Sequence, residues 1–142
     1  LTTKHIAETM SQGEAGVFMH GPTFMANPLA CAVAVKSTQL LISQDWQSNI
    51  QRIEAQLRDA LQPLQSLNHV YDVRVLGAIG VVELTVNADM KTLQQEFVRR
   101  GIWIRPFGKL VYVMPPYVIT AQELKTLLEQ LVEVVKGMEQ ST

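Results

Sequence analysis

The sequence predicts an α+β fold, with helices packed on one face of a small, mainly antiparallel sheet. Three observations predict it. Apolar residues before Asn68 recur at helical three- and four-residue steps. Two runs rich in β-branched residues follow, Val70 to Leu76 and Ile79 to Val86. The remainder then repeats a helical stripe, two short extended runs and a second stripe, so the order is helices first, then β-β-α-β-β-α. With 142 residues, 47% of them hydrophobic and 18% charged, the chain has the size and composition of a folded domain with one real core.

Thr2 or Thr3 caps a first short helix running to about Met10, and the loop from Ser11 to Gly16 breaks it. A turn, Gly21-Pro22-Thr23, comes next. Asn27 and Pro28 then read as N-cap and first residue of a helix that reaches about Ser43. That helix is nearly apolar all round at its start, so its first half is expected to be buried, with Cys31 as a packed core residue. Asp45 caps a third helix whose stripe is Trp46, Ile50, Ile53, Leu57, Leu61 and Leu64. Arg52, Glu54, Arg58 and Asp59 lie off that stripe on a solvated face, and Pro63 and Asn68 end the helix.

Gly77-Ala78-Ile79-Gly80 reads as a bend or bulge between the two paired strands. Asp89 to Arg100 is a helix with Met90, Leu93 and Phe97 inward and Gly101 as its stop. Ile102–Arg105 and Leu110–Met114 read as short strands joined by Pro106-Phe107-Gly108-Lys109, and Pro115-Pro116 stops the second. Thr120 and Glu123 form a capping box for a last helix carrying Leu124, Leu127, Leu128, Leu131, Val135 and Met138.

Charge and composition exclude several classes of function. Twelve basic and 13 acidic residues give a net charge of −1, so no basic field is present to hold nucleic acid or an anionic membrane. The one cysteine excludes an internal disulfide framework and suits a reducing, cytoplasmic compartment. The longest apolar run, Pro28 to Val35, is too short to span a bilayer, and no signal peptide is visible. His5, His20 and His69 have no metal-type spacing, so no metal site is expected. The opening Leu1-Thr2-Thr3 reads as the start of a piece of a longer protein.

Two stretches carry chemistry. In His20-Gly21-Pro22-Thr23-Phe24-Met25-Ala26-Asn27-Pro28, glycine permits close backbone approach, proline stiffens the turn, and Thr23 offers a hydroxyl beside its N–H. Ahead of a helix start this makes a small anion pocket, or else a plain loop-to-helix junction. In Gly101–Tyr117, alternation puts Ile102 and Ile104 on one face and Trp103 and Arg105 on the other, with Tyr112 on the neighbouring strand. A guanidinium beside aromatic rings suits a carboxylate, or is a surface arginine stacked on a ring. Lys109 is a solvated turn residue. Asp72 and Arg74 share a face and pair across a surface, and Glu83 is structural or edge-exposed.

Three segments, 20–32, 72–83 and 101–117, resemble the class III aminotransferases in order and spacing, and the resemblance runs from Leu1 to about Met138. It implies the C-terminal part of a fold type I pyridoxal 5'-phosphate enzyme, a homodimer with active sites at the subunit interface and small-molecule substrates. Residues 1–44 would end the large cofactor domain and 45–142 would be the C-terminal small domain. Pro22 and Thr23 would contact the cofactor, chiefly its phosphate, in the partner subunit's site, and Gly21 would lie against the substrate. Arg105 would bind the substrate carboxylate, with Phe107 and Tyr112 shaping the pocket. The stretch Arg105-Pro106-Phe107-Gly108 is most similar to the biotin-synthesis branch, which moves the amino group of S-adenosylmethionine to 8-amino-7-oxononanoate. An ornithine or 4-aminobutyrate type, or a non-catalytic dimerisation or binding module, are the other readings. By the same resemblance the cofactor-anchoring lysine lies upstream of Leu1, so these residues alone are expected to be inactive. Ala26 stands where the family's pattern calls for glycine, which matters only if that position needs a positive φ.

Overall fold

A computed structural model of the chain describes residues 2–14, 16, 21–23 and 25–138. They divide into two compact units, Leu1–Ser43 and Gln44–Thr142.

In the first unit, helix α1 (Lys4–Gln12) is capped by Thr3, whose Oγ1 accepts the Ile6 N–H at 3.3 Å. Helix α2 (Pro28–Ile42) is capped by Asn27, whose Oδ1 accepts the Ala30 N–H at 3.0 Å. The expected burial of the first half of α2 is corrected here. No residue of α2 is buried, Leu29 is 74% exposed, and Cys31 is exposed rather than packed in a core. A helix apolar on every side needs neighbours on every side, and the described residues bury none of its side chains.

The second unit begins with α3 (Trp46–Leu61), capped by Asp45 and continued by a 3₁₀ turn over Gln62–Ser66. Its stripe is buried from Ile53 through Leu57 and Leu61 to Leu64. Arg52 leaves the solvated face expected of it: it donates to the Ile119 carbonyl at 2.6 Å and to Gln56 Oε1 at 2.9 Å, tying α3 to the segment before the last helix. Strands β1 (Val70–Leu76) and β2 (Ile79–Leu84) pair antiparallel. Leu76 pairs with Ile79, so Gly77-Ala78 is a two-residue hairpin turn with Gly77 at φ +55°, not a bulge. The register irregularity lies at the other end, between Val70 and Asp72. Gly80 serves packing instead, since a Cβ there would stand 2.7 Å from Leu61 Cδ1.

Helix α4 (Met90–Arg99) starts at the Asp89 cap and stops at Gly101, φ +78°. The Gly101 N–H donates to Val98 and the Ile102 N–H to Phe97, a Schellman ending. Strand β3 (Leu110–Val113) completes a sheet of order β1-β2-β3, antiparallel throughout. Ile102–Arg105 is not a strand, which corrects the second expectation. Its residues alternate buried and exposed without a ladder, and only Phe107 bridges to Leu110. Pro106, fully buried, brings no N–H to a ladder. The observed order in this unit is therefore α-β-β-α-β-α. Helix α5 (Ala121–Gly137) begins with both halves of the Thr120–Glu123 capping box formed. Helices α3, α4 and α5 and one sheet face enclose a single core of residues such as Leu57, Val82, Phe97, Val111 and Leu131, giving the α+β architecture the patterning predicts.

Candidate functional site

The two chemistry-bearing stretches fall in different units and are taken one at a time. In the first unit, the Met25 N–H donates to the Pro22 carbonyl at 3.0 Å, closing a turn that presents Thr23. His20 and Phe24 lie outside the described residues. Gly21, Pro22 and Thr23 are exposed, and no described residue takes the Thr23 hydroxyl. A Cβ on Gly21 would meet nothing within 4 Å, so no described residue fills the space its small size leaves.

Ala26 has φ +59°, the one non-glycine positive φ among the described residues. The conformation costs an alanine about 1–2 kcal/mol, and here it sits between the turn and the Asn27 cap. The helix start contributes less to an anion than its position suggests. Pro28 has no N–H and Asn27 already satisfies Ala30, which leaves Leu29 as the donor of the first turn. Of the described groups at this turn, the Thr23 hydroxyl is the exposed one without a partner.

In the second unit, Ile102, Ile104 and Pro106 point into the core, and Trp103 and Arg105 project the other way, as alternation predicts. Arg105 and Tyr112 line one open pocket of about 340 Å³, with Trp103, Met114, Pro115, Pro116 and Ile119 as further walls. Among the described residues, no carboxylate pairs with Arg105. Phe107 is 72% exposed on the turn before β3 and is not among the lining residues. The lining by Trp103 and Met114 was legible only in part: Trp103 shares Arg105's face by its two-residue spacing, whereas Met114 lies past the end of β3.

Arg74 is the instructive contrast. It lies across from Val81, which in turn pairs with Tyr112. Its guanidinium bonds Asp72 and Glu83, each at 2.7 Å, and those two hydrogen bonds, Asp72's first, hold its pKa above the usual arginine value. Arg74 is thus neutralised by its own sheet, and Glu83 is one of its two partners. Lys109 donates to the Thr85 carbonyl at 2.9 Å and remains an exposed turn residue. His69 reaches the Val135 carbonyl at 2.8 Å, a link between the turn before β1 and α5 that spacing did not reveal. A larger open groove, about 620 Å³, runs along α3 and α5 past Asp59, Glu129 and Glu133, with an apolar floor of Ala60, Leu128 and Val132. It is remote from Arg105 in its lining and holds no comparable unpaired cation. Among the described residues no cluster could hold a metal ion, and no helix is long and apolar enough to cross a membrane.

Comparison with known proteins bears on these arrangements. The family model for class-III aminotransferases matches residues 1–135. The adenosylmethionine-8-amino-7-oxononanoate aminotransferase of Buchnera aphidicola subsp. Acyrthosiphon pisum is 52% identical over 127 residues, 89% of this chain and 30% of that protein. The enzyme of the same name from Corynebacterium glutamicum is 48% identical over 138 residues, 96% of this chain and 33% of that protein. Among solved structures, an ornithine aminotransferase from Toxoplasma gondii with partial occupancy of PLP at its active site superposes with a TM-score of 0.75 at 28% identity, covering 86% of this chain and 30% of that one. The chain therefore spans about a third of the length of the proteins it matches.

Proposed function

The chain belongs to the class III aminotransferases, and from that membership we propose that it is part of a pyridoxal-phosphate enzyme passing the amino group of S-adenosylmethionine to 8-amino-7-oxononanoate, to give 7,8-diaminononanoate for biotin synthesis. Residues 1–44 belong on this reading to the end of the large cofactor domain, and 45–142 form the small domain. The observation that carries the proposal is Arg105, a guanidinium paired with no carboxylate among the described residues, set in a pocket walled by Tyr112 and apolar side chains. That is what the carboxylate end of a nonanoate needs: a two-pronged donor, with apolar walls beside it for the attached chain. The relatives of highest identity given above are named for that substrate.

Thr23 fits the phosphate end of the cofactor, because it is exposed and its hydroxyl has no described partner. Pro22 holds the turn through its carbonyl, and Gly21 leaves room for substrate. The cofactor, when bound, supplies the electron sink for amino transfer; the residues here anchor and orient. Phe107 acts from the turn before β3. All six lysines, Lys4, Lys36, Lys91, Lys109, Lys125 and Lys136, are exposed. On the family resemblance the anchoring lysine lies elsewhere in the protein, so that these residues alone are inactive. The exposed apolar surface of α2 supports a homodimer in which Pro22 and Thr23 serve the partner subunit's cofactor.

Assay of the whole enzyme with a panel of donors and acceptors tests this. Turnover is expected with S-adenosylmethionine and 8-amino-7-oxononanoate, and Arg105→Ala is expected to raise KM for that acceptor at least tenfold, about the worth of a charge-assisted hydrogen bond. Preferred turnover of ornithine or 4-aminobutyrate with 2-oxoglutarate would overturn it.

A further inference from the structure

Trp103 is left unassigned by everything above. It is a large aromatic side chain, 72% exposed, which is an unusual place for an indole in a chain that buries Phe97 completely. It stands two residues before Arg105, on the same side of the extended segment, with Ile104 turned into the core between them. It lines the Arg105 pocket, and its remaining surface borders α4 beside Val98 and Arg99. One side of the indole thus borders the groove beside α4 and the other borders the Arg105 pocket.

A carboxylate held by Arg105 has its first methylene groups within reach of the side chains that flank the guanidinium. Tyr112 and Met114 stand at β3 and just beyond its end, and Trp103 supplies the wall from the segment that carries Arg105 itself. We propose that Trp103 is a specificity-determining residue of this carboxylate site: its indole covers the methylenes next to the carboxylate and so selects an acid carried on an unbranched aliphatic chain. The proposal rests on the reading of Arg105 as the carboxylate anchor and extends it from the charge to the chain attached to it.

Simple alkanoates, from propionate to hexanoate, are the probe, measured as competitive inhibitors against the acceptor in the whole enzyme. Each methylene buried against the wall improves the inhibition constant about three- to fourfold. In Trp103→Ala that gain per methylene is expected to flatten over the first two methylenes, and in Trp103→Phe it is expected to return in part. Arg105→Ala is expected instead to weaken the whole alkanoate series by one common factor. The melting temperature of each variant, measured alongside, separates the effect from unfolding. A Trp103→Ala series that runs parallel to that of the parent enzyme, while Arg105→Ala weakens every member, would overturn the role of Trp103 alone. Alkanoate inhibition that is indifferent to Arg105→Ala would overturn the carboxylate reading itself, and this proposal with it.

Discussion

Gly80 is where the sheet that carries Tyr112 depends most directly on one missing methyl group. A Cβ built there stands 2.7 Å from Leu61 Cδ1, 3.0 Å from Leu57 Cδ2 and 3.4 Å from Val113 Cγ1. The first contact is about 1 Å inside the favourable carbon–carbon separation. Methyl ends of leucine often swing aside, but Leu57, Leu61 and the adjacent Leu64 are all completely buried, and a close-packed interior leaves them nowhere to go. Overpacking of this kind costs about 1–3 kcal/mol, and the removal of a strand glycine returns about 0.5–1 kcal/mol. Gly80→Ala is therefore expected to destabilise by about 1–2 kcal/mol. For a domain of this size that lowers the melting temperature by roughly 5–15 °C, read by circular dichroism. Leu61→Ala opens the space the methyl group needs, so the double variant is expected to lose less than the two single losses together, with a coupling of about 1 kcal/mol. Because Gly80 pairs with Val113, the strain also presses on the strand that presents Tyr112. A Gly80→Ala melting temperature within about 2 °C of the parent, or strict additivity with Leu61→Ala, would refute the reasoning.

Two further outcomes follow from the backbone and the caps. Ala26→Gly relieves the left-handed conformation at φ +59°, and the gain, after the added freedom of the unfolded chain, is about 0.5–1 kcal/mol. Hydrogen exchange at the α2 start, at the Ala30 and Cys31 amides, is expected to slow about threefold, and no change there would mean the turn does not hold Ala26 in that conformation. Asp89 has its pKa lowered, first by the Thr92 hydroxyl and then by the Thr92 N–H. A depressed folded-state pKa gives stability that is present above the unfolded value near pH 4 and lost as pH falls through the folded one. Asp89→Asn keeps a capping oxygen but not the titration, so acid unfolding followed by circular dichroism is expected to show a shallower loss below about pH 4, and an unchanged acid limb would count against the cap.

The helices were legible because their signals are local. Asn27, Asp45 and Thr120 each cap the helix their sequence context announces, Thr3 rather than Thr2 caps the first, and Asp89, read as the start of its helix, is its cap. What was not legible depends on partners. An apolar helix face says that burial is needed and not where the cover lies, so α2 was misjudged. An extended segment and a strand share their alternation and differ only in whether a neighbour offers hydrogen bonds, so Ile102–Arg105 was misjudged. Gly77 and Gly80 were both visible, but only the register distinguishes the glycine that turns the chain from the one that admits a helix.

The two arginines of the sheet region sharpen the same point for the site. Arg74 and Arg105 each sit on an exposed face of an extended run, and nothing in composition ranks one above the other. The register decides it. It sets Asp72 opposite Glu83, two like charges that would repel across the strands unless a cation bridged them, and Arg74, two residues along the same face from Asp72, is that cation. Its charge is balanced within the fold. Arg105 follows a buried isoleucine and precedes a buried proline, with Trp103, Tyr112 and Met114 around its pocket and no acid among the walls. On the proposed reading, an arginine whose described surroundings supply rings and methyl groups but no carboxylate takes its electrostatic complement from the substrate, and the walls describe what is attached to it.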